Sequence, residues 1–509
     1  MKKFKLTTTQ TALLLVILTF GSKLIGFVRE MVLANYFGAG MVTDAYVMGQ
    51  SIPNTLLAAV IGAVGTAYMP LLAQKFENGG IESANKFTSK LLNAIFSIIA
   101  IVCVIGYIFS SQIVSFFAPG YDAEKIVLTV FYMRVAFVGL FFTSGLTILE
   151  AYLQYRGVFT TQTVIGYLQS ISVIIFIILA AKIDYHLLVF GVVVGYMLRC
   201  ICDYFVVRNQ GFIYSADFKY KSVIKDVMSL ALPVFIGGSI GEINSFVDKM
   251  LGSGLPEGSV SSLNYSGTMI SFIMTFTTTI MMTLIYPKLN KAFATDDMES
   301  ISSLAERGIN LLALVTIPFA MGAFLYSNEV IHIVYERGAF DAAATGMAAI
   351  AFKYYAIKIP FDAVDNLVIK VFYSMHDMKT PVKCSIVALV VNCTLNIILV
   401  RIIGIAGLAI ATSIASIVGM SLRYFTFKRK YPDIRLLRSK RKLAKVVIFS
   451  IVAVGFSFLV YTGLGMLGIR IIVVKLGLAV IASVLAYLGM LYLAKFEELG
   501  LIKDLVKRG

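Results

Sequence analysis

One apolar stretch carries charge where a membrane-crossing helix should carry none. Ser22-Lys23-Leu24-Ile25-Gly26-Phe27-Val28-Arg29-Glu30 lies inside the apolar run at residues 8–35. Ionisable groups in such a segment cost about 2.5 to 3.5 kcal/mol each on insertion scales, so they face a bundle interior or a water-filled cavity. At 100° per residue Ser22, Gly26 and Arg29 share one helix face, and Lys23 and Glu30 share an adjacent one. Guanidinium binds phosphate bidentately. Arg29 with Lys23 therefore points to a hydrated, net-positive cavity that takes an anionic, phosphorylated cargo. Ser22 adds a hydroxyl on the same face, and Gly26 leaves room for a bend or a close backbone approach. The competing reading is a structural lock, with Arg29 and Glu30 paired to neighbouring helices.

Other charges extend the set. Asp44 opens the second helix, where it serves equally as a gate or as a cap on the positive helix end. Arg134 and Glu150 fall on the fourth helix, and Arg134 joins Lys23 and Arg29 as a candidate cargo ligand. On the tenth, Lys358 and Asp362 stand four apart, as cavity lining or an i,i+4 pair. A separate constellation is built from oxygens: Asp248 on the seventh helix, Asn392 and Asn396 on the eleventh and Thr412 on the twelfth. It would suit a hard monovalent cation such as sodium, or else simple interhelical hydrogen bonding. No catalytic constellation, phosphate loop or bound cofactor is indicated beyond that sodium ion. The three histidines are scattered and the five cysteines show no metal or disulfide spacing. Energy would then come from a gradient or the membrane potential, since one negative charge moving outward gains about 2.3 kcal/mol per 100 mV.

The elements that position these groups follow from composition. The 509 residues are 59% hydrophobic and 14% charged, with a mean hydropathy of +0.86. That excludes a soluble enzyme. About fourteen apolar runs are long enough to span a bilayer, among them 43–73, 88–117 and 344–374. They lack the apolar–polar alternation of barrel strands. The fold class is thus an all-α polytopic membrane protein. Lys and Arg gather in alternate connections, including Lys86, Lys90, Lys219, Lys221, Lys288 and the run from Lys428 to Lys442. The positive-inside rule places both termini in the cytoplasm. The net charge of +16 is topological, with a secondary role in touching anionic membrane lipids. It is spread over short connections, so nucleic acid is not a partner.

An internal repeat divides the chain. The segment Gly38–Tyr46 is echoed by Pro256–Tyr265, Tyr68-Met69-Pro70 by Tyr286-Pro287, and the loop Phe117–Ala123 by Glu336–Ala342, all about 218 residues apart. Six helices between equivalent points give two halves of one orientation, related by an axis along the membrane normal. The expected organisation is an N-lobe at 1–215, a C-lobe at 216–430 and two C-terminal helices at 431–509, with a cleft between the two six-helix lobes.

These motifs resemble the MurJ (MviN) family of lipid II flippases in the MOP exporter superfamily. The similarity rests on Ser22–Glu30, Phe37-Gly38-Ala39-Gly40, Thr43-Asp44-Ala45 and Ile52-Pro53-Asn54. It continues through Ala118-Pro119-Gly120, Glu336-Arg337-Gly338-Ala339-Phe340 and Tyr373–Val382, in family order. The resemblance implies a fourteen-helix fold and alternating-access transfer of the undecaprenyl-pyrophosphate precursor lipid II to the outer leaflet. Cell-wall synthesis machinery is an implied partner. The implied location is the bacterial cytoplasmic membrane. Arg29 matches the family's essential first-helix arginine, Lys23 stands where many relatives have Arg, Glu30 replaces Asp, and Asp44 matches. Arg29, Lys23, Ser22, Gly26 and Arg134 are the implied substrate ligands, and Glu30 and Asp44 the gating pair. The oxygen cluster resembles a cation site of some members. Two departures stand out: Thr55-Leu56-Leu57-Ala58-Ala59 lacks the arginine pair some relatives carry, and Thr268 takes the place of an eighth-helix arginine. The rival functions are a flippase for another lipid-linked oligosaccharide, a multidrug or cation antiporter of the same superfamily, and an integral membrane glycosyltransferase. The short outer loops disfavour the last.

Overall fold

The computed structural model describes residues 8–281, 285–295, 297–437 and 440–496. Both chain ends, Ser439 and the basic-connection residue Arg438 lie outside them. The described residues are helical with no strand. The chain divides into two compact units, one of Met1–Asn264 with Arg337–Asp341, the other of Tyr265–Glu336 with Ala342–Gly509.

The first unit holds α1 (Thr8–Phe37), α2 (Met41–Ile108), α3 (Ser110–Phe117), α4 (Ala123–Tyr155), α5 (Thr160–Lys182), α6 (Phe190–Asn209), α7 (Lys221–Gly252) and the start of α8 (Ser259–Ile280). Helix α1 stops where Gly38 turns to φ +62 and its N–H caps the Ala34 carbonyl at 2.8 Å. At 68 residues α2 is about three times the length a bilayer needs. Gly79 and Gly80 leave the helical conformation and divide it, so the runs 43–73 and 88–117 share one element. Helix α7 bends by 60° between Lys221–Leu232 and Val234–Gly252, where Pro233 supplies no N–H to the ladder. The core joins both halves of α2 to α4 and α7 through Tyr68, Phe87, Tyr152, Phe212, Val223 and Val227. Packing therefore places the seventh helix with the first six, whereas the repeat marks its boundary at 215/216.

The second unit continues α8 and adds α9 (Tyr286–Ala294), α10 (Met298–Leu325), α11 (Ser327–Tyr335), α12 (Ala342–Ala356), α13 (Ile359–Ser374), α14 (Lys379–Ile403), α15 (Ile405–Lys430), α16 (Lys440–Met466) and α17 (Ile472–Leu493). One core cluster gathers Leu289, Ile301, Leu367, Val371, Phe372 and Phe427. A second ties the last two helices to α10, where the Tyr487 hydroxyl donates to the Leu314 carbonyl at 2.9 Å. The run 344–374 is split into α12 and α13.

Among the described residues nine helices are long and apolar enough to cross a membrane, or ten if bent α7 is one span. Their outward faces are greasy: Ile386, Val390 and Ile397 on α14 and Ile448 and Ile451 on α16 are all exposed. In water such a surface would aggregate; against lipid chains it is the expected one.

Candidate functional site

Two cavities in the first unit meet at Arg29. The larger, about 420 Å³, lies among α1, α4, α5 and α6 and is lined by Ser22, Lys23, Arg29, Gln162, Gln169 and Arg199 among others. The smaller, about 300 Å³, adds walls from α2 and α7 and is lined by Arg29, Glu30, Tyr46, Gln50, Asn54 and Lys249 among others. Three cations and a set of amides and hydroxyls face the first cavity, with no carboxylate in its lining. Its chemistry suits a phosphorylated, sugar-bearing anion.

Arg29 is not free to swing. Its Nη2 donates to Glu30 Oε1 at 2.8 Å and its Nε to the same oxygen at 3.2 Å. The partner carboxylate is buried while the guanidinium stays part exposed. The other Glu30 oxygen accepts from Asn264 Nδ2 at 3.5 Å. The ion pair is made within α1 and not to a neighbouring helix: Glu30 orients Arg29, which lines both cavities. Opposite it, Arg199 pairs with Glu150 and donates to Gln169 Oε1 at 3.2 Å.

Asp44 does not cap its own helix. The cap of α2 is made by Gly40 and Thr43, whose side chain accepts from the Gly40 N–H at 2.9 Å. The Asp44 carboxylate instead takes four bonds, from Lys125 Nζ at 2.7 Å, Gly258 N–H at 2.9 Å, Ser261 N–H at 2.7 Å and Ser261 Oγ at 2.8 Å. It therefore caps the start of α8, a helix remote in sequence, and fastens it to α2 and α4. Glu257 adds to the clasp by accepting from the Met41 N–H at 2.6 Å.

Two expected ligands are elsewhere. Arg134 lines neither cavity: its Nε donates to Ser110 Oγ at 2.7 Å and its guanidinium lies 4.4 Å from the Tyr107 ring. The face of α4 that carries it meets α3, so the residue fastens helices and does not meet a ligand in these cavities. Gly26 lines neither cavity, and a Cβ there would meet open space, so no backbone approaches it.

Asn392, Asn396 and Thr412 come together in the second unit, Asn396 Nδ2 donating to Asn392 Oδ1 at 2.8 Å and Asn392 Nδ2 to Thr412 Oγ1 at 3.2 Å. Asp248 is buried in the first unit. No group of three or more His, Cys, Asp or Glu suited to a metal ion occurs among the described residues. On the tenth run, Lys358 and Asp362 form the i,i+4 pair at 2.7 Å.

Sequence reasoning passed over Lys125, Arg199 and Lys249. Lys249 sits near the end of α7, where snorkelling explains it equally well, whereas Arg199 lies midway along α6. The signal that marks Lys249 is its place beside Asp248 in an otherwise apolar stretch.

Comparison with known proteins places these features in a family. The model described as lipid II flippase MurJ matches residues 33–474. The chain is similar to the probable lipid II flippase MurJ of Rickettsia prowazekii (strain Madrid E), at 25% identity over 514 aligned positions that cover 96% of this chain and 98% of the relative. A protein of the same name from Rhizobium tropici is 24% identical, with 96% and 95% covered. The lipid II flippase MurJ of Burkholderia cenocepacia is 24% identical, with 81% and 82% covered. Among solved structures, a lipid II flippase MurJ in an inward closed conformation shares the fold with a TM-score of 0.82 at 23% identity, covering 97% of this chain and 100% of that one. An inward-facing multidrug resistance MATE family transporter of the MOP superfamily shares it at 0.68 and 12% identity, with 82% and 96% covered.

Proposed function

We infer the working of this chain from its family: it belongs to the MurJ family of lipid II flippases, whose model it matches over residues 33–474. It is a multi-pass membrane transporter of lipid II, and it makes or breaks no covalent bond. The fold alone would not separate it from a drug exporter, since a multidrug transporter shares that fold. The charge of the cavities favours the anionic cargo.

The observation that carries the residue-level reading is the position of Arg29, in the linings of both cavities and oriented by Glu30. In this proposal Arg29 and Lys23 hold the pyrophosphate, with Ser22 as an added donor. The glutamines of α5 and the amides and phenols of the smaller cavity receive the sugars. A lipid diphosphate brings its own counter-charge to a net-positive pocket, so neither side must be neutralised in advance. Asp44 is the gate: its four bonds hold α2, α4 and the start of α8 together, and opening that end requires their release.

The direction follows from charge. In the cytoplasmic membrane, with both termini inside, an anionic headgroup carried outward moves down the membrane potential, worth about 2.3 kcal/mol per charge per 100 mV. No nucleotide is needed. The test is a leaflet-accessibility assay with purified chain in vesicles containing lipid II. Transfer to the far leaflet, slowed when the potential is collapsed, is expected. Transfer indistinguishable from empty vesicles would overturn the reading.

A further inference from the structure

The smaller cavity contains a cation that forms no ion pair among the described residues. Lys249, one turn before the end of α7, lines it with Arg29 and Glu30. Its Nζ donates to Ser51 Oγ of α2 at 2.7 Å, and among the described residues it forms no ion pair. Glu30 is occupied by Arg29 through two contacts. Glu242, Glu30 and Asp248 act on Lys249 only at longer range. The cavity therefore holds one guanidinium paired with a carboxylate and one ammonium whose nearest partner is a hydroxyl.

We propose that Lys249 is a substrate ligand: it binds the second phosphate of the lipid diphosphate whose first phosphate Arg29 engages, and so makes the site select a diphosphate over a monophosphate. This rests on the flippase reading and deepens it.

The physical case has three parts. A part-buried ammonium with no ion-pair partner is a standing cost, reduced when an anion arrives. Its present partner is a neutral hydroxyl, which a phosphate oxygen outcompetes because it adds charge–charge attraction to the hydrogen bond. The two cations also differ in kind. Arg29 is a rigid fork already positioned by Glu30, whereas Lys249 is a point charge on a flexible stem. One fixed and one adjustable donor on a common cavity suit two linked phosphates, the second of which a monophosphate lacks.

The test compares wild type, Lys249→Gln and Lys249→Arg, each purified as the full chain and checked for an unchanged melting temperature. Binding is measured for lipid II and for undecaprenyl monophosphate, and lipid II transfer is followed in vesicles. Gln retains a hydrogen bond to Ser51 and removes the charge; Arg retains the charge. Lys249→Gln should weaken lipid II binding by on the order of tenfold or more, leave monophosphate binding within about twofold, and flatten the salt dependence of lipid II binding. Lys249→Arg should recover most of the loss. Lipid II binding unchanged in a folded Lys249→Gln variant, or equal losses for both lipids, overturns the proposal. So does an Arg variant as weak as the Gln variant. If wild type itself moves no lipid II while folded, the flippase reading is what fails.

Discussion

Gly338 presses its backbone against the carbonyl of Asn35, and Gly120, 218 residues before Gly338, presses against the carbonyl of Ser253, 218 residues after Asn35. The two contacts are equivalents under the internal repeat, with the partners exchanged. Each repeat thus seats its own loop on a helix end of the other. The first pair is tightened by the Ala339 N–H donating to the Asn35 carbonyl at 2.8 Å, the second by the Gly120 N–H reaching Ser253 Oγ at 3.4 Å. The motif around Arg337-Gly338-Ala339 is a docking device of the first unit, to which Arg337–Asp341 belongs.

Gly338 is therefore sensitive and Gly26 is not. A Cβ at Gly338 meets the Asn35 carbonyl, and the residue sits at φ +58. Gly338→Ala should cost about 1–3 kcal/mol of stability, read as a lower melting temperature in detergent. Gly26→Ala, in open space within α1, should be neutral or stabilising by up to about 1 kcal/mol. Equal melting temperatures for the two variants would refute the docking account.

The Asp44–Lys125 pair is buried, at 2.7 Å. Asp44→Asn keeps the shape but strands an ammonium, and should destabilise by about 3–5 kcal/mol. Adding Lys125→Met should recover part of the loss, since the stranded charge is then gone. A thermal double-mutant cycle decides it; strictly additive losses would mean the two side chains act independently.

Arg29 and Arg134 should separate cleanly in function. Arg29→Ala should lower lipid II transfer by on the order of tenfold or more, with Arg29→Lys retaining part of it. Arg134→Gln removes a fastening to Ser110 and should cost about 1–2 kcal/mol of stability while leaving transfer per folded molecule unchanged. A transfer defect in Arg134→Gln at full stability would return that residue to the cargo site.

Acid should loosen the second unit at Asp377, in the turn between α13 and α14. Burial works to raise its carboxyl, but the bonds from Lys430 Nζ at 2.7 Å, Thr380 Oγ1 at 2.7 Å and Thr380 N–H at 3.1 Å outweigh it. The group is held below the ordinary carboxylate range. Stability from a lowered carboxyl is present above its unfolded value, about 3.9, and is lost as pH falls through the folded value. The melting temperature should drop from pH 5 towards pH 3, and Asp377→Asn should lessen the drop. An identical pH profile in that variant would exclude Asp377 as a source.

What could be read from sequence was whatever burial makes expensive. Lys23, Arg29 and Glu30 stand out in an apolar run because lipid tolerates no unpaired charge there, and Ser22, Lys23 and Arg29 do meet at a cavity. The helical rotation of α4 was not legible: the pattern places Arg134 in a span but does not say that its face meets Ser110 and Tyr107. Asp44 was visible as a special carboxylate, yet its partners Gly258 and Ser261 lie more than 200 residues away, and no local rule reaches so far. Lys249 was hidden for a related reason. A lysine near a helix end ordinarily snorkels, and only the turn of α7 towards α2 shows that this one does not.

The excursion of Arg337–Asp341 into the first unit has a consequence for biogenesis. When Asn264 has been translated, that unit still lacks five of its residues, and the seat at Asn35 and Gly38 stands empty. It stays so until the whole of Tyr265–Glu336 has been synthesised, several seconds at about 5–20 residues per second. Throughout that interval the Asn35 carbonyl, which accepts from the Ala339 N–H in the folded chain, lacks that partner. A ribosome that stalls after residue 264 delivers a half that cannot complete itself.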